Sequence, residues 1–358
     1  MDTVKSFRPV PITPKSKFTT RLANKYIVKT LKEISDLSKN KKNFKEIGSC
    51  LMGLFMLHHR NNIPAVKNLT FEIGRKNGER WINTIGKDPE KKIKSLNGKV
   101  LFHWIITFLY LNHFNKEHHS DYLENLHKLL QNEVLNEGSV KKLKKFMFPN
   151  DPSKYHGFKK KYIKQFQNLW SFIHAYIIMA SHLKSSIGKG IVINVLKNYI
   201  KNYRPHLEEF IALKNREKLL NNKLFKRFHH DAVYWITHII FTLVNFTGNI
   251  IKNADKYFLK EIKFLENSIP IVIEMKDNDM LGEMIDVLTI LNRRDTPQMN
   301  DAINTLLKIV SEKKDIRSKS DKKKINYWYH TPEVTMVAFC LDRKEDDVVY
   351  PDLLKLFE

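Results

Sequence analysis

The stretch from residue 229 to 248 has the clearest pattern of polar and apolar positions in the chain, and it contains no Lys, Arg or Glu. At about 100° per residue in a helix, one narrow stripe of this stretch holds five residues. They are Asp231, Trp235, His238, Thr242 and Asn245. The opposite side is apolar, with Val233, Ile236 and Ile240. Because such a helix is buried on most sides, we predict that its polar stripe faces a pocket or a buried polar network.

Helical spacing of apolar residues continues through most of the chain. It predicts further helices over 20–39, 44–59, 101–114, 120–136, 163–183, 190–202, 206–221, 252–266, 279–291 and 299–311. Residues 60–99 hold four glycines and two prolines, which predicts short helices and loops there. The whole chain has only 12 Gly and 12 Pro, and it lacks a regular series of β-branched strands. We therefore predict an all-α fold.

Strongly apolar helices alternate with amphipathic ones along the chain. The apolar ones are expected at 51–59, 101–114, 166–183, 232–248 and 333–341. This alternation is typical of paired helices in which one layer is buried and the other faces water. We predict an extended N-terminal arm over 1–18, which holds three prolines, a helical part over 19–150 and a second helical part over 151–358. The two helical parts are compatible with one shared core.

Two apolar helices carry the same dipeptide in opposite orders, Thr237-His238 and His330-Thr331, each close behind aromatic residues. These pieces resemble the inner helices of α/α-toroid proteins and an uncharacterised group of bacterial all-helical proteins with a Thr-His inner helix. The resemblance covers residues 230–341. It implies paired helices in a toroid-like or helical-repeat arrangement, with His238 and His330 near one mouth of a central cavity. The acid-rich motifs of terpene cyclases and a zinc-binding Cys-His set are absent from the chain, so the resemblance implies a fold and no particular reaction.

The polar stripe suggests acid–base chemistry. Asp231 is positioned to orient His238 or His330 and to set its protonation, as general acid–base catalysis requires. We expect the ligand-binding residues to be Trp235, Thr237, Thr242, Asn245 and Thr331. The hypothesis is an enzyme or ligand-binding protein with a central pocket, acting on an anionic or peptide-like substrate. A buried histidine that bonds to a neighbour gives the same pattern, and the network is then purely structural.

A metal site is a further interpretation of the same histidines. Asp231 and His238 lie two helical turns apart, and a transition metal would need a third ligand such as His174 or His330. The sequence contains no HExxH motif, so we predict no metal site, and no cofactor is identified. Two histidine pairs are expected at helix ends, where contacts with terminal carbonyls or solvent are usual: His58-His59 and His118-His119.

The net charge of +24 arises from 62 Lys and Arg against 38 Asp and Glu. Such a charge favours anionic partners, whether small molecules, peptides or nucleic acid. The most basic segment, 139–164, gives the alternative function of a nucleic-acid-binding or interaction protein. Its candidate contacts are Lys141, Lys142, Lys144, Lys145, Lys159, Lys160 and Lys161. The excess of Lys over Arg is equally typical of a solvated surface shaped by an AT-rich genome.

Two features bear on where the chain resides. Its two cysteines, Cys50 and Cys340, form no CxxC pair, which favours a reducing compartment and a cytoplasmic protein. The segment Ala232 to Ile251 has the length to span a bilayer. Because it includes His238, Asn245 and other polar residues, we predict that it is buried in a protein core and that no transmembrane span exists.

Overall fold

The computed structural model describes residues 16–37, 47–93, 98–135, several positions between 193 and 207, 223–244, 246–312, 314–317, 325–341 and 350–358. The helices are α1 (Ser16–Leu37), α2 (Ile47–Arg60), α3 (Pro64–Thr84), α4 (Pro89–Ile93), α5 (Gly98–Asn115), α6 (Ser120–Leu135), α7 (Lys223–Leu243), α8 (Ala254–Met275), α9 (Asn278–Ile290), α10 (Pro297–Ser311), α11 (Ile325–Ala338) and α12 (Pro351–Leu354), followed by a 3₁₀ turn, Lys355–Phe357. Helices and their connections account for the described residues, and the prediction of an all-α fold is confirmed.

Helix α9 lies at the centre of the C-terminal part. Every residue from Asp279 to Ile290 is buried, and helices α7, α8, α10 and α11 pack around it. The helix begins at Asp277, whose side chain accepts a hydrogen bond from the backbone N–H of Met280 over 3.1 Å. Three acidic residues on α9 are buried with the rest, Asp279, Glu283 and Asp286. Buried carboxyl groups require polar partners from neighbouring helices.

Helix α11 connects the two halves of the sequence. It packs on α9 and also on α1 and α2, and α2 in turn packs on α3 and α5. Buried apolar side chains from Ile27 to Phe357 form one contiguous core. The described parts of 19–150 and 151–358 therefore share a hydrophobic interior.

Residues 60–99 differ from the prediction of short helices and loops, because most of this range is the 21-residue helix α3. Its glycines permit close approach to α5. A Cβ atom at Gly74 would lie 2.6 Å from the Phe114 ring, and one at Gly78 would lie 1.9 Å from Oδ1 of Asn115. The glycines therefore allow α3 and α5 to pack closely and do not end the helix. They lower the intrinsic helix propensity of α3.

Several predicted elements lie outside the described residues. These are most of the arm over 1–18, the helix over 163–183, most of the helix over 206–221 and the basic segment 139–164 with its seven lysines. The predicted membrane-length segment from Ala232 is divided between α7, which ends at Leu243, and the residues that lead to α8. Among the helices that the structure describes, none combines the length and apolar character needed to cross a membrane.

Candidate functional site

Helices α7, α9 and α11 bring seven polar residues together, which we call the interior cluster. They are Tyr234, Thr237 and His238 from α7, Asp279 and Glu283 from α9, and His330 and Thr331 from α11. Asp279 and Glu283 are four residues apart and so share one face of α9. Both α7 and α11 pack directly on α9, which places their polar side chains next to these carboxyl groups.

Asp279 and His330 form the first half of the interior cluster. Nδ1 of His330 donates to Oδ1 of Asp279 over 2.8 Å, and the Tyr234 hydroxyl donates to Oδ2 over 2.7 Å. The Asp279 side chain is 3% exposed, whereas the His330 side chain is 24% exposed. The hydrogen bond to Asp279 fixes the orientation of the His330 ring. A partly exposed imidazole is thus backed by a buried carboxylate.

Glu283 and His238 form the second half. The Thr237 hydroxyl lies 2.9 Å from Oε2 of Glu283, and Nδ1 of His238 lies 2.8 Å from the Tyr234 carbonyl oxygen. A carbonyl oxygen only accepts, so Nδ1 of His238 carries a proton. Neutral His238 then keeps its lone pair on Nε2. The distance of 3.7 Å between Nδ1 of His238 and Oε2 of Glu283 is longer than a hydrogen bond.

Burial and neighbouring charges move the pKa values of the Asp279–His330 pair. Burial alone would lower the pKa of His330, but the charge and hydrogen bond of Asp279 raise this pKa to about 10. Burial alone would raise the pKa of Asp279, but the charge of His330 and the hydrogen bonds from His330, Tyr234 and Thr331 hold this pKa below its usual value. At neutral pH the pair is therefore ionic, a carboxylate beside an imidazolium.

Glu283 and His238 are both neutral at that pH. Burial, together with the nearby charge of Asp279, raises the pKa of Glu283 to about 8. Burial lowers the pKa of His238 to about 3. The pKa of Glu283 is thus raised while that of Asp279, one helical turn away, is lowered. The pKa of His330 is likewise raised while that of His238 is lowered. The interior cluster holds a protonated carboxyl group that can donate a proton and a neutral imidazole that can accept a hydrogen bond.

The structure brings together four of the residues singled out from the sequence: Thr237, His238, His330 and Thr331. Two others on the predicted stripe have different surroundings. Trp235 stacks on Tyr199, with ring centroids 5.5 Å apart. The Thr242 hydroxyl donates to the carbonyl oxygen of His238 over 2.6 Å within its own helix, a usual arrangement for a helical threonine. The Asp231 side chain and residue Asn245 lie outside the described residues.

Sequence reasoning missed the acidic half of the interior cluster. The carboxyl group bonded to His330 belongs to Asp279, and the one next to Thr237 belongs to Glu283. Their signal was present in the sequence, since Asp279, Glu283 and Asp286 recur at intervals of four and three on an otherwise apolar helix. That spacing places three carboxyl groups on one buried face.

The third carboxyl group of this face, Asp286, forms a buried ion pair with Arg60 at the end of α2. The Arg60 side chain is fully buried and that of Asp286 nearly so. Arg60 also donates to the carbonyl oxygen of Phe246 over 3.1 Å, and its guanidinium lies 5.5 Å from the centre of the Phe241 ring. These contacts attach α2 to the C-terminal part next to the interior cluster.

Among the residues that the structure describes, two groups of three side chains have ligand atoms close enough for a metal ion. The first group is Asp279, Glu283 and His330, and the second is His58, His59 and His113. In each group the ligand atoms lie within 4.8 Å of one another. In the first group, the direct bond between Asp279 and His330 already pairs the charges without an ion. The second group, which we call the histidine trio, borders a pocket of about 470 Å³.

The resemblance to α/α-toroid proteins and the role of the basic segment 139–164 both stay predictions, because neither the geometry of the described residues nor any relative tests them. No protein family, curated protein or solved structure matches this chain.

Proposed function

We propose that this protein is an enzyme or ligand-binding protein whose site is the interior cluster, acting on a small anionic or peptide-like substrate. The observation that carries the proposal is the meeting of two carboxyl groups and two imidazoles from α7, α9 and α11. The pKa of Glu283 is raised to about 8 while that of Asp279 is lowered, and the pKa of His330 is raised to about 10 while that of His238 is lowered to about 3. Such opposed displacements within one buried cluster are typical of sites that carry out acid–base chemistry.

The residues take distinct roles in this proposal. Glu283, protonated at neutral pH, donates a proton, and Nε2 of neutral His238 accepts a hydrogen bond from the substrate. The imidazolium of His330, fixed by Asp279, binds an anionic group or a carbonyl oxygen of the substrate. Thr237 orients the Glu283 carboxyl group through its hydroxyl.

A partly exposed face of the interior cluster supports access from solvent. His330 is 24% exposed at its side chain, and Tyr234 is also partly exposed. The His230 ring lies 4.6 Å from that of Tyr234, and Nε2 of His230 lies 4.0 Å from the Asp277 carboxylate. The side chains of His330, Tyr234 and His230 thus lie around the first turn of α9. A substrate that approaches from solvent there reaches His330 first. The net charge of +24 favours an anionic substrate.

The proposal includes a toroid-like arrangement of the paired helices, with the interior cluster near one mouth. Its support is that Thr237-His238 and His330-Thr331, the dipeptides that carry the resemblance, both lie against the acidic face of α9. His330 is also close enough to His238 for its charge to disfavour protonation of His238.

A thermal-shift screen with carboxylates, phosphates and short peptides at pH 7 tests this function. A compound that binds at the interior cluster raises the Tm of the wild type but not that of Glu283→Gln or His330→Gln. The matched control is Glu274→Gln, at an exposed glutamate on α8, which keeps the shift. A compound that shifts all of these proteins equally binds elsewhere and contradicts the proposal. A panel that shifts none of them favours a purely structural network.

A further inference from the structure

Three histidines meet where α2 and α5 approach their C-terminal ends. His58 and His59 lie in the last turn of α2, and His113 lies in the last turn of α5. Nε2 of His113 and Nδ1 of His58 are 3.1 Å apart, and one nitrogen from each ring of the trio lies within 4.8 Å of the others. A tetrahedral zinc ion, with Zn–N distances of about 2.0–2.1 Å, separates its ligand nitrogens by roughly 3.3 Å. Small ring rotations therefore bring the trio to coordinating distance.

Two phenylalanines hold the imidazole rings in place. The Phe55 ring lies 4.4 Å from that of His59 and 5.0 Å from that of His113. The Phe71 ring lies 5.5 Å from that of His58 and 6.0 Å from that of His113. Packing of this kind limits the rotamers of the ligands and so reduces the entropy lost on binding an ion.

The surroundings of the trio are basic. Within the described ranges, no carboxylate forms a hydrogen bond or ion pair with any of the three rings. Burial, and to a smaller extent the charge of Lys67, lowers the pKa of all three histidines. The rings also repel one another's protons, so this arrangement favours three neutral imidazoles. Neutral imidazole is the form that binds metal ions.

We propose that His58, His59 and His113 bind a divalent transition-metal ion of the zinc type. Imidazole nitrogens suit zinc, copper, iron and nickel, and three of them leave one position of a zinc tetrahedron open. The adjoining pocket of about 470 Å³ is bordered by His59 and His113 and also by Lys116 and Glu117. The fourth position is taken by water or a small anion from this pocket, since Lys67 and Lys116 add positive charge near the ion.

Titration of the chelator-treated full chain with Zn²⁺ in a calorimeter, and with Co²⁺ in an absorption spectrometer, tests the site. The expected result is one ion per chain, with a tetrahedral cobalt spectrum. Loss of a group that only supports a ligand weakens metal binding about 10–100-fold, so we expect His58→Ala and His113→Ala each to weaken it by more than about 100-fold. The matched control is His118→Ala, at an exposed histidine just beyond α5, which binds as the wild type does.

Three results overturn the proposal. The first is a wild type that binds neither ion, and the second is equal affinity in His58→Ala, His113→Ala and His118→Ala. The third is loss of binding in His330→Ala with retention in His113→Ala, which places the ion in the interior cluster. Far-UV circular dichroism without metal checks that the variants fold. If His113→Ala does not fold, His59→Ala gives the same test, because its side chain is exposed.

Discussion

Replacing Glu283 by Gln should make the protein more stable at neutral pH. The pKa of Glu283 is raised from 4.5 to about 8, chiefly by burial. A carboxyl group with a raised pKa favours folding only in its protonated form. Its cost to stability is therefore absent below pH 4.5, grows as the pH rises towards 8 and stays constant above that.

The size of the effect follows from this displacement. At pH 7 the carboxyl group is ionised in the unfolded chain and protonated in the folded chain. Each pH unit above 4.5 costs about 1.4 kcal/mol, so the 2.5 units from 4.5 to pH 7 cost about 3 kcal/mol. Glutamine carries no charge to lose, and its amide oxygen still accepts from the Thr237 hydroxyl, which lies 2.9 Å from the Glu283 carboxyl group.

Urea unfolding of the wild type and Glu283→Gln, followed by far-UV circular dichroism, measures this difference. We expect the variant to be more stable by about 3 kcal/mol at pH 7 and nearly equal at pH 4.5. The other ionisable groups are common to both proteins, so they largely cancel in the comparison. Glu274→Gln, at an exposed position, should change stability by less than about 0.5 kcal/mol at both pH values. If the difference in stability between Glu283→Gln and the wild type does not grow from pH 4.5 to pH 7, the assignment of a protonated, buried Glu283 is refuted.

Two further predictions concern buried charges. Arg60→Met leaves the Asp286 carboxylate buried without its ion-pair partner and should cost about 3–5 kcal/mol in urea unfolding, whereas the double variant Arg60→Met with Asp286→Leu should recover most of that loss. A single variant as stable as the double one would contradict this. In the Glu283→Gln background, the Tm should fall as the pH is lowered from 7 to 5. Burial lowers the pKa of His238 to about 3 and that of His229 to about 4. Below the ordinary pKa of 6.5, these two histidines therefore gain protons only in the unfolded chain, which favours unfolding. An unchanged Tm over that range in a calorimeter would show that these histidines are protonated in the fold.

The stability cost of Glu283 bears on the proposed function. A carboxyl group that could be replaced with a gain of stability is of the kind retained at functional sites, where activity and stability oppose each other. The Arg60–Asp286 pair lies beside it on the same face of α9 and attaches α2 to this part of the chain. We therefore expect the interior cluster to depend on α2 for its position, although α2 contributes no residue to it.

The sequence by itself determined the all-α class and the position of several helices. Periodicity along the chain is a local property, so α5, α6, α9 and α10 fall within three residues of their predicted bounds, whereas α7 begins and ends several residues earlier than predicted. It also singled out His238 and His330, because a histidine on an apolar helix stands out from its immediate neighbours. The glycines of α3 misled the prediction, since their role depends on α5, a different helix.

Only the tertiary structure decided which side chains meet. His330 bonds to Asp279, 51 residues away, His113 lies against His58, 55 residues away, and Arg60 pairs with Asp286 across 226 residues. Helical periodicity states which face of a helix is polar but not which helix packs against that face. The partner is chosen by the packing of side chains from distant helices around α9, and burial within that packing then sets the pKa values of Glu283 and His238.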